Sequence, residues 1–472
     1  MKTLYYRSNF IALILILLVL KVNAQFIYIN PMPESRYHNP QTGIILRNGE
    51  RLSLNSIQSK NIFKITGSRN GEYLFDVKLI EDEKAILLTP KKHFAEGENV
   101  TVVVNDGIKT IEGKSVNGTS FDFNIRDERS AEENKRIKDQ MREMYNSEFG
   151  NSEKKPFEKS SFEWPPTPLD GLPGFTILTN TGDAYQAQIF GHDFFFFNSS
   201  ESHFWIINNN GDSVYAKFDT VIFNNFTLNN NGYLTLYHHD DSSYVMLDST
   251  YQQVAEFQMG NGYKADVHEF QIYSDKKRYM IAYDPQIVDM TVYNPNYNAA
   301  AIVVGLVIQE LDSNNNVLFE WSSWDHFNIL DASHIGFQNA YIDPVHCNAV
   351  ERDTDGNILI SCRHLSEVTK INRTTGDIIW RLGGVNNQFT FTNDIEQFTW
   401  QHDVRKLANG NITLFDNGNW HNPQRSYAKE YKLDEVNKTA DLVWSNCLKI
   451  IKDIVEWQHY KTWFEPIKPV EL

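Results

Sequence analysis

Three segments of the chain repeat one pattern: a histidine, a few alternating residues, a tight turn and a return strand. The clearest copy is Val345-His346-Cys347-Asn348-Ala349-Val350, then Asp355-Gly356-Asn357 and Ile358-Leu359-Ile360-Ser361. A second is Gln401-His402-Asp403-Val404, then Asn409-Gly410-Asn411 and Ile412-Thr413-Leu414-Phe415. Asp266-Val267-His268-Glu269-Phe270, with Asp275 and Tyr279-Met280-Ile281-Ala282 behind it, is a degraded third copy. Modules of about 40–50 residues, each holding several short strands, cannot bury their apolar faces singly; stacked around an axis they make a β-propeller. Asn/Asp/Gly turns recur from Phe175 onward, at Asn208 to Asp212, Asn229 to Gly232, Asn314 to Asn316 and Thr375-Gly376-Asp377. No strong helical period interrupts them before the last twenty-five residues. The expected fold class is therefore all-β, with the propeller over 175–472.

The chain ahead of it divides in three. Met1 to Ala24 begins with Lys2 and Arg7, continues as an apolar run of 11 residues from Phe10 to Leu20, and ends in Val22-Asn23-Ala24. That is the pattern of a secretory signal peptide, and the run is short of the ~20 residues a bilayer span needs. The mature protein is expected to be exported, to the periplasm or beyond. Residues 26–125 read as short strands: Val100, Val102 and Val104 alternate with other residues, as do Phe121, Phe123 and Ile125, between turns such as Asn105-Asp106-Gly107. A β-sandwich is expected, and Asn30-Pro31-Met32-Pro33 to Phe123 resembles the bacterial Ig-like domains of exported proteins. Residues 126–174 form a linker, first a helix with Ile137, Met141, Met144 and Tyr145 on one face, then a proline-rich stretch through Pro156, Pro165, Pro166, Pro168 and Pro173.

Composition excludes some functions. With 41% hydrophobic and 22% charged residues the chain can bury a core, so general disorder is out. A formal charge of −16 argues against a nucleic-acid coat and requires any anionic substrate to meet a local basic pocket. Three cysteines are too few for a disulfide scaffold. Cys347 and Cys362 flank one turn almost evenly, which fits either a cross-strand bridge or two reduced buried thiols; Cys447 is left over. No phosphate loop, dinucleotide fingerprint, nucleophile elbow or zinc-protease motif occurs, and no cofactor is expected.

In a propeller the inner strands line one channel, so equivalent positions converge. His268, His346 and His402 are then three imidazoles at one channel mouth. Arg363, at the end of the return strand from His346, comes back towards it, and Asn348 shares its strand face by the two-residue period. No carboxylate is fixed there by the same logic. Imidazoles, an amide and a guanidinium suit a multiply charged oxyanion.

Residues 343–445 carry Asp343, His346, Asn348, Ser361 and Arg363-His364, then Trp380-Arg381-Leu382-Gly383-Gly384, Gln401-His402 and Phe415-Asp416-Asn417-Gly418. This run of motifs resembles the bacterial arylsulfate sulfotransferases, which use phenolic sulfate donors rather than phosphoadenosine phosphosulfate. The match continues more weakly through His268 and Trp324-Asp325-His326-Phe327. The resemblance implies a six-bladed propeller preceded by a small β-sandwich, and sulfuryl transfer between a phenolic donor and acceptor. It also implies a transient sulfohistidine at His402 and sulfuryl binding by His268, His346, Asn348 and Arg363. After Trp444-Ser445 the pattern departs: Leu448, Ile450, Ile451, Ile454 and Val455 fall at helix-like spacing where a closing blade is expected. An incomplete last blade would leave a sheet edge open to pairing, for instance in a homodimer.

Other features have bland readings beside functional ones. His238-His239-Asp240-Asp241 is a hairpin turn or a metal cluster; Phe194 to Phe197 is a buried strand or a donor pocket; His364 and His421 either border the channel or are rim or loop residues. Asp416-Asn417-Gly418 is turn chemistry. Two other functions fit the three histidines: a zinc hydrolase, which Arg363 beside the site opposes, and a non-catalytic binding propeller.

Overall fold

The computed structural model describes residues 26–59, 61–149, 189–193, 202–207, 213–219, 223–239 and 241–448. The leader, the proline-rich stretch, Phe194 to Phe197, Asp240 and the chain after Leu448 lie outside them. The described chain is all-β apart from one long helix and a few single turns. Among the described residues no helix is long and apolar enough to cross a membrane.

The N-terminal part is a pair of four-stranded antiparallel sheets. One orders Tyr28–Asn30, Ile44–Arg47, Ala85–Pro90 and Phe75–Ile80; the other orders Gly71–Tyr73, Phe63–Gly67, Asn99–Val104 and Thr119–Asn124. The two-residue period decides what they bury: Val100, Val102, Val104, Phe121 and Phe123 enter one core with Ile44, Leu46 and Leu88, while Thr101 and Val103 stay half-buried. The helix Ala131–Phe149 follows. Ser130 caps it reciprocally with Glu133: the Glu133 amide donates to Ser130 Oγ at 3.1 Å, and the Ser130 amide donates to Glu133 Oε2 at 2.8 Å. Among the described side chains of this helix, Ile137 is the buried one.

Five further antiparallel sheets are present among the described residues. Sheet I holds Ile189–Asp193, Ser202–Ile207 and Ser213–Asp219, and sheet II holds Phe223–Leu228, Leu234–His238, Ser243–Leu247 and Gln253–Phe257. Sheet III runs Phe270–Ile272, Arg278–Val288, Ala301–Leu311 and Val317–Ser322, with Tyr341–Ile342 added in parallel to the third strand. Sheet IV runs Cys347–Arg352, Ile358–Cys362, Glu367–Ile371 and Ile378–Gly383. Sheet V starts at His402–Lys406 and continues through Ile412–Asp416, Ser426–Asp434 and Thr439–Leu448, with Thr390–Thr392 on its far edge. Every residue of Ala301–Leu311 is buried, as the apolar run from Ala301 to Ile308 requires of a strand covered on both faces. The first strand of sheet IV packs against the first strands of sheets III and V.

The turns fall where the glycines are. Gly356 (φ 85°) and Gly410 (φ 88°) take the left-handed conformation with open space where a Cβ would stand, so backbone handedness and not crowding requires glycine there. His238 pairs with Ser243 across a hairpin, and its Nδ1 contacts Asp241 at 2.8 Å, as the turn reading expected. The helix-like reading from Leu448 onward is corrected at its start: Asn446, Cys447 and Leu448 continue the strand Thr439–Leu448, paired with Ala428, Tyr427 and Ser426.

The N-terminal pair seats on sheet III. Arg47, 2% exposed, donates to the carbonyls of Leu318 (2.8 Å), Arg373 (3.1 Å) and Thr374 (2.9 Å), and Tyr28 stacks on Phe319 at 5.2 Å. Nearby, Asp284 is buried among Gln286 and the Trp324 indole N–H, which donates to it at 3.1 Å. Burial pushes the Asp284 carboxyl up to about 6 from an ordinary 3.8. A carboxyl that holds its proton more tightly when folded stabilises the fold fully below about pH 4, and that contribution is lost as pH rises through about 6. Asp284→Asn should remove this loss. Urea unfolding between pH 4 and 7 is expected to show the wild type losing on the order of 3 kcal/mol relative to the variant. A difference that stays flat across that window would reject the assignment.

Candidate active site

The residues singled out by the repeat come together at the edge where sheets III, IV and V meet. His268 lies in the turn ahead of Phe270–Ile272, not at a strand start, because its strand is shortened to three residues. His346 immediately precedes Cys347–Arg352, and His402 opens His402–Lys406. The His268 and His346 rings stand 5.4 Å apart, edge to face. The Arg363 amide donates to the His346 carbonyl at 2.9 Å, so the hairpin does return the arginine to the histidine. Its guanidinium lies over the Trp400 ring at 4.4 Å, and Trp400 is two residues before His402. Asn348 joins the last pair: its Nδ2 donates to the Gln401 carbonyl at 2.9 Å, and its Oδ1 accepts the Asp403 amide at 3.1 Å. The simple alternation expected from His346 to Asn348 is interrupted, since the register shifts between Cys347 and Ala349.

Each imidazole is held by its Nδ1. His346 Nδ1 donates to Asp343 Oδ2 at 2.7 Å, and the His346 amide donates to Asp343 Oδ1 at 3.0 Å. His268 repeats the device with Asp266, which takes both its ring N–H and, at 2.9 Å, its amide. His364, read as a rim residue, instead packs 4.6 Å from the His346 ring with its Nδ1 on the Asp343 carbonyl. His402 Nδ1 meets Asn417 Oδ1 at 2.7 Å and the Trp400 carbonyl at 3.2 Å. A carbonyl and a carboxylate only accept, so Nδ1 carries the proton in each ring and Nε2 is left with its lone pair when the ring is neutral. Burial first, then the charges of His346 and Arg363, push His364 down to about 3, so that ring is neutral at any ordinary pH. Burial works against ionisation of Asp266, but the charge and hydrogen bonds of His268 and a bond from Tyr145 hold it below the usual carboxylate value.

The carboxylates Asp266 and Asp343 thus correct the expectation that none is fixed at the site. Sequence carried their signal, an aspartate two or three residues before the histidine in two of the three copies. Asn417 was read as turn chemistry and serves both ends: Gly418 (φ 60°) has no room for a Cβ, which would fall 1.7 Å from the Arg425 carbonyl, and the turn aims Asn417 at His402. His421 lies in the loop before Ser426–Asp434, as the loop reading expected. It is buried, bonded through Nε2 to Asp416 at 2.7 Å, and that bond to a fully buried carboxylate raises its proton affinity. Tyr283, whose ring lies 5.8 and 5.9 Å from those of His268 and His346, had no readable signal inside a long apolar strand.

Arg363 decides the electrostatics. It is 8% exposed, no carboxylate among the described residues pairs with it, and its Nε has no hydrogen-bond partner. Below it Gln401 Nε2 donates to Ser361 Oγ (3.1 Å) and to the Cys362 (3.3 Å) and Glu367 (2.9 Å) carbonyls, while its buried Oε1 has no hydrogen-bond partner. Arg381 of the Trp-Arg-Leu-Gly-Gly motif bonds Glu367 at 2.7 Å and Asp331 at 3.0 Å. The motif therefore supports the site from outside it. Three residues here, His346 (φ 48°), Trp400 (φ 52°) and Asp403 (φ 59°), hold the left-handed backbone that non-glycine residues seldom adopt. Cys347 and Cys362 stand opposite each other across sheet IV as reduced, buried thiols, one beside His346 and the other beside Arg363. Asp343, His346 and His364 also present ligand atoms within 4.8 Å of one another, a group able to hold a metal ion.

Residues 217–446 match the arylsulfotransferase (ASST) family, and all of the histidines above lie within that span. That span, just under half of the chain, belongs to the arylsulfotransferase family. Other likenesses add little. Over 37 residues the chain is 68% identical to the chromosomal replication initiator protein DnaA of Flavobacterium psychrophilum, a match covering 8% of this chain and 8% of that protein. Among solved structures, virginiamycin B lyase of Staphylococcus aureus is 10% identical with a TM-score of 0.28, the match covering 82% of this chain and 89% of that one. A Bacteroides caccae protein of unknown function is 14% identical with a TM-score of 0.29, over 52% of this chain and 68% of that one. Likenesses this distant decide nothing about an arylsulfotransferase.

Proposed function

We propose that this chain moves a sulfuryl group from a phenolic sulfate ester to a second phenol in two steps through His402. The observation that carries the reading is Arg363, a buried guanidinium without a carboxylate partner among the described residues, set beside imidazoles that are each held at Nδ1. Such a site is built for an anion. In the first step His402 Nε2 attacks sulfur, the aryl oxygen–sulfur bond breaks, and the phenolate leaves. In the second, a phenol oxygen attacks the N-sulfohistidine, the sulfur–nitrogen bond breaks, and the phenol proton passes to a neighbouring imidazole. His268, His346, Asn348 and Arg363 hold the sulfuryl oxygens throughout. Sheets I to V are, in this proposal, blades of a six-bladed propeller over 175–472, preceded by a leader to residue 24, an Ig-like sandwich over 26–125 and the linker. Lys2, Arg7 and the following apolar run support export to the periplasm or beyond.

A chromogenic aryl sulfate with a phenol acceptor tests the reading. Arg363→Lys keeps the charge but loses the fork, and donors to a developing charge are worth about 10²–10³ in turnover; a fall of that order is expected. Near-normal kinetics would move Arg363 out of the site. The Asp343, His346 and His364 group favours a second reading, a metal-dependent hydrolase. Metal analysis separates the two: one zinc per chain, with turnover lost to a chelator, would replace sulfuryl transfer by hydrolysis.

A further inference from the structure

The linking helix reaches into the site from outside the family match. Arg129, just ahead of it, donates to the Pro285 carbonyl and Gln286 Oε1, each at 2.6 Å, and Arg136 donates to the Ala300 carbonyl at 2.9 Å. Further along, the Tyr341 O–H meets Met144 Sδ at 3.0 Å. These contacts fix the helix along sheet III, and they place Tyr145 so that its O–H donates to Asp266 Oδ2. Asp266 is 1% exposed, and its other oxygen, Oδ1, takes the His268 ring N–H and, at 2.9 Å, the His268 amide.

We propose that Tyr145 is a positioning residue of the sulfuryl site, acting on His268 through Asp266. A carboxylate can turn about its last bond, and one oxygen fixed by a phenol O–H leaves the other in a single place. Asp266 then orients the His268 ring, and Nε2 points where the substrate oxygen must lie. Partners of this kind, behind a functional histidine, typically matter by about 10–100-fold. The inference rests on His268 being part of the sulfuryl site, as proposed above.

Tyr145→Phe in the full chain removes one oxygen and nothing else. Turnover of a chromogenic aryl sulfate is expected to fall about tenfold with KM changed less than about twofold. The hydrogen-bonded Nδ1 proton of His268, followed by NMR and assigned with Asp266→Asn, is expected to shift or broaden in the variant. Unchanged turnover with an unchanged resonance would overturn the proposal, as would lost turnover with a lowered melting temperature and an unmoved resonance. If His268→Ala itself kept full turnover, the sulfuryl reading of His268 would fall, while the resonance would still decide whether Tyr145 positions the ring.

Discussion

His402→Ala is expected to lower aryl sulfate turnover by on the order of 10⁶-fold while the chain still folds, since loss of a covalent nucleophile has effects of that size. The reason is geometric. Asn417 Oδ1 and the Trp400 carbonyl both accept at Nδ1, so the ring keeps its proton there and offers Nε2 to sulfur without first losing one. A direct transfer would need donor and acceptor aligned across sulfur together, whereas a protein nucleophile needs one aryl group at a time. Ping-pong kinetics follow, together with a mass gain of one sulfuryl group on His402 when donor is supplied without acceptor. Cys347 is the other nucleophile within reach of the argument, but it is buried and faces Cys362. A sulfuryl group found on any residue except His402, or an active His402→Ala enzyme, would sink the assignment.

Arg405→Met is expected to be the most damaging substitution away from the reacting groups. Arg405 Nη1 lies 2.7 Å from Glu269 and 3.9 Å from Glu351, and its Nη2 lies 2.6 Å from Asp403. Arg405, Glu269 and Glu351 follow the three repeat histidines along the inner edges of sheets V, III and IV, so this one guanidinium ties the three together. All four side chains are buried. Removing one partner from a buried ionic cluster leaves uncompensated charge, which typically costs about 3–5 kcal/mol. Urea unfolding should show a loss in that range, partly recovered by adding Glu269→Gln. A loss below about 1 kcal/mol would mean that water reaches the carboxylates and relieves them.

Turns and inner strands were legible because glycine and asparagine mark positions of special backbone geometry, as Gly356 and Gly410 do. The convergence of His268, His346 and Arg363 was legible because repetition fixes equivalent positions. What repetition does not report is the second partner of each side chain. Asn348 was read as facing the substrate, and its amide also ties it to the segment that carries His402, through Oδ1 and one of its two Nδ2 hydrogens. Asn417 and Asp416 looked alike as turn residues; one holds the His402 ring and the other is buried beneath His421 and Lys429. Tyr145 lies about 120 residues from Asp266, and no local pattern links two groups so far apart in the chain.

Arg47 carries a consequence for how the molecule comes apart. Its guanidinium serves three main-chain carbonyls of sheets III and IV, and it is itself held by Glu81 at 2.7 Å. Peeling the first hundred residues away would strand those carbonyls in an apolar surface around Phe319 and expose Tyr28, Ile45 and Leu87, which share one core with it. The N-terminal sheets are therefore not a detachable ornament. They and sheet III are expected to melt as one cooperative body, and a chain shortened from the front would have to rebuild the wall that Phe319 and its neighbours present.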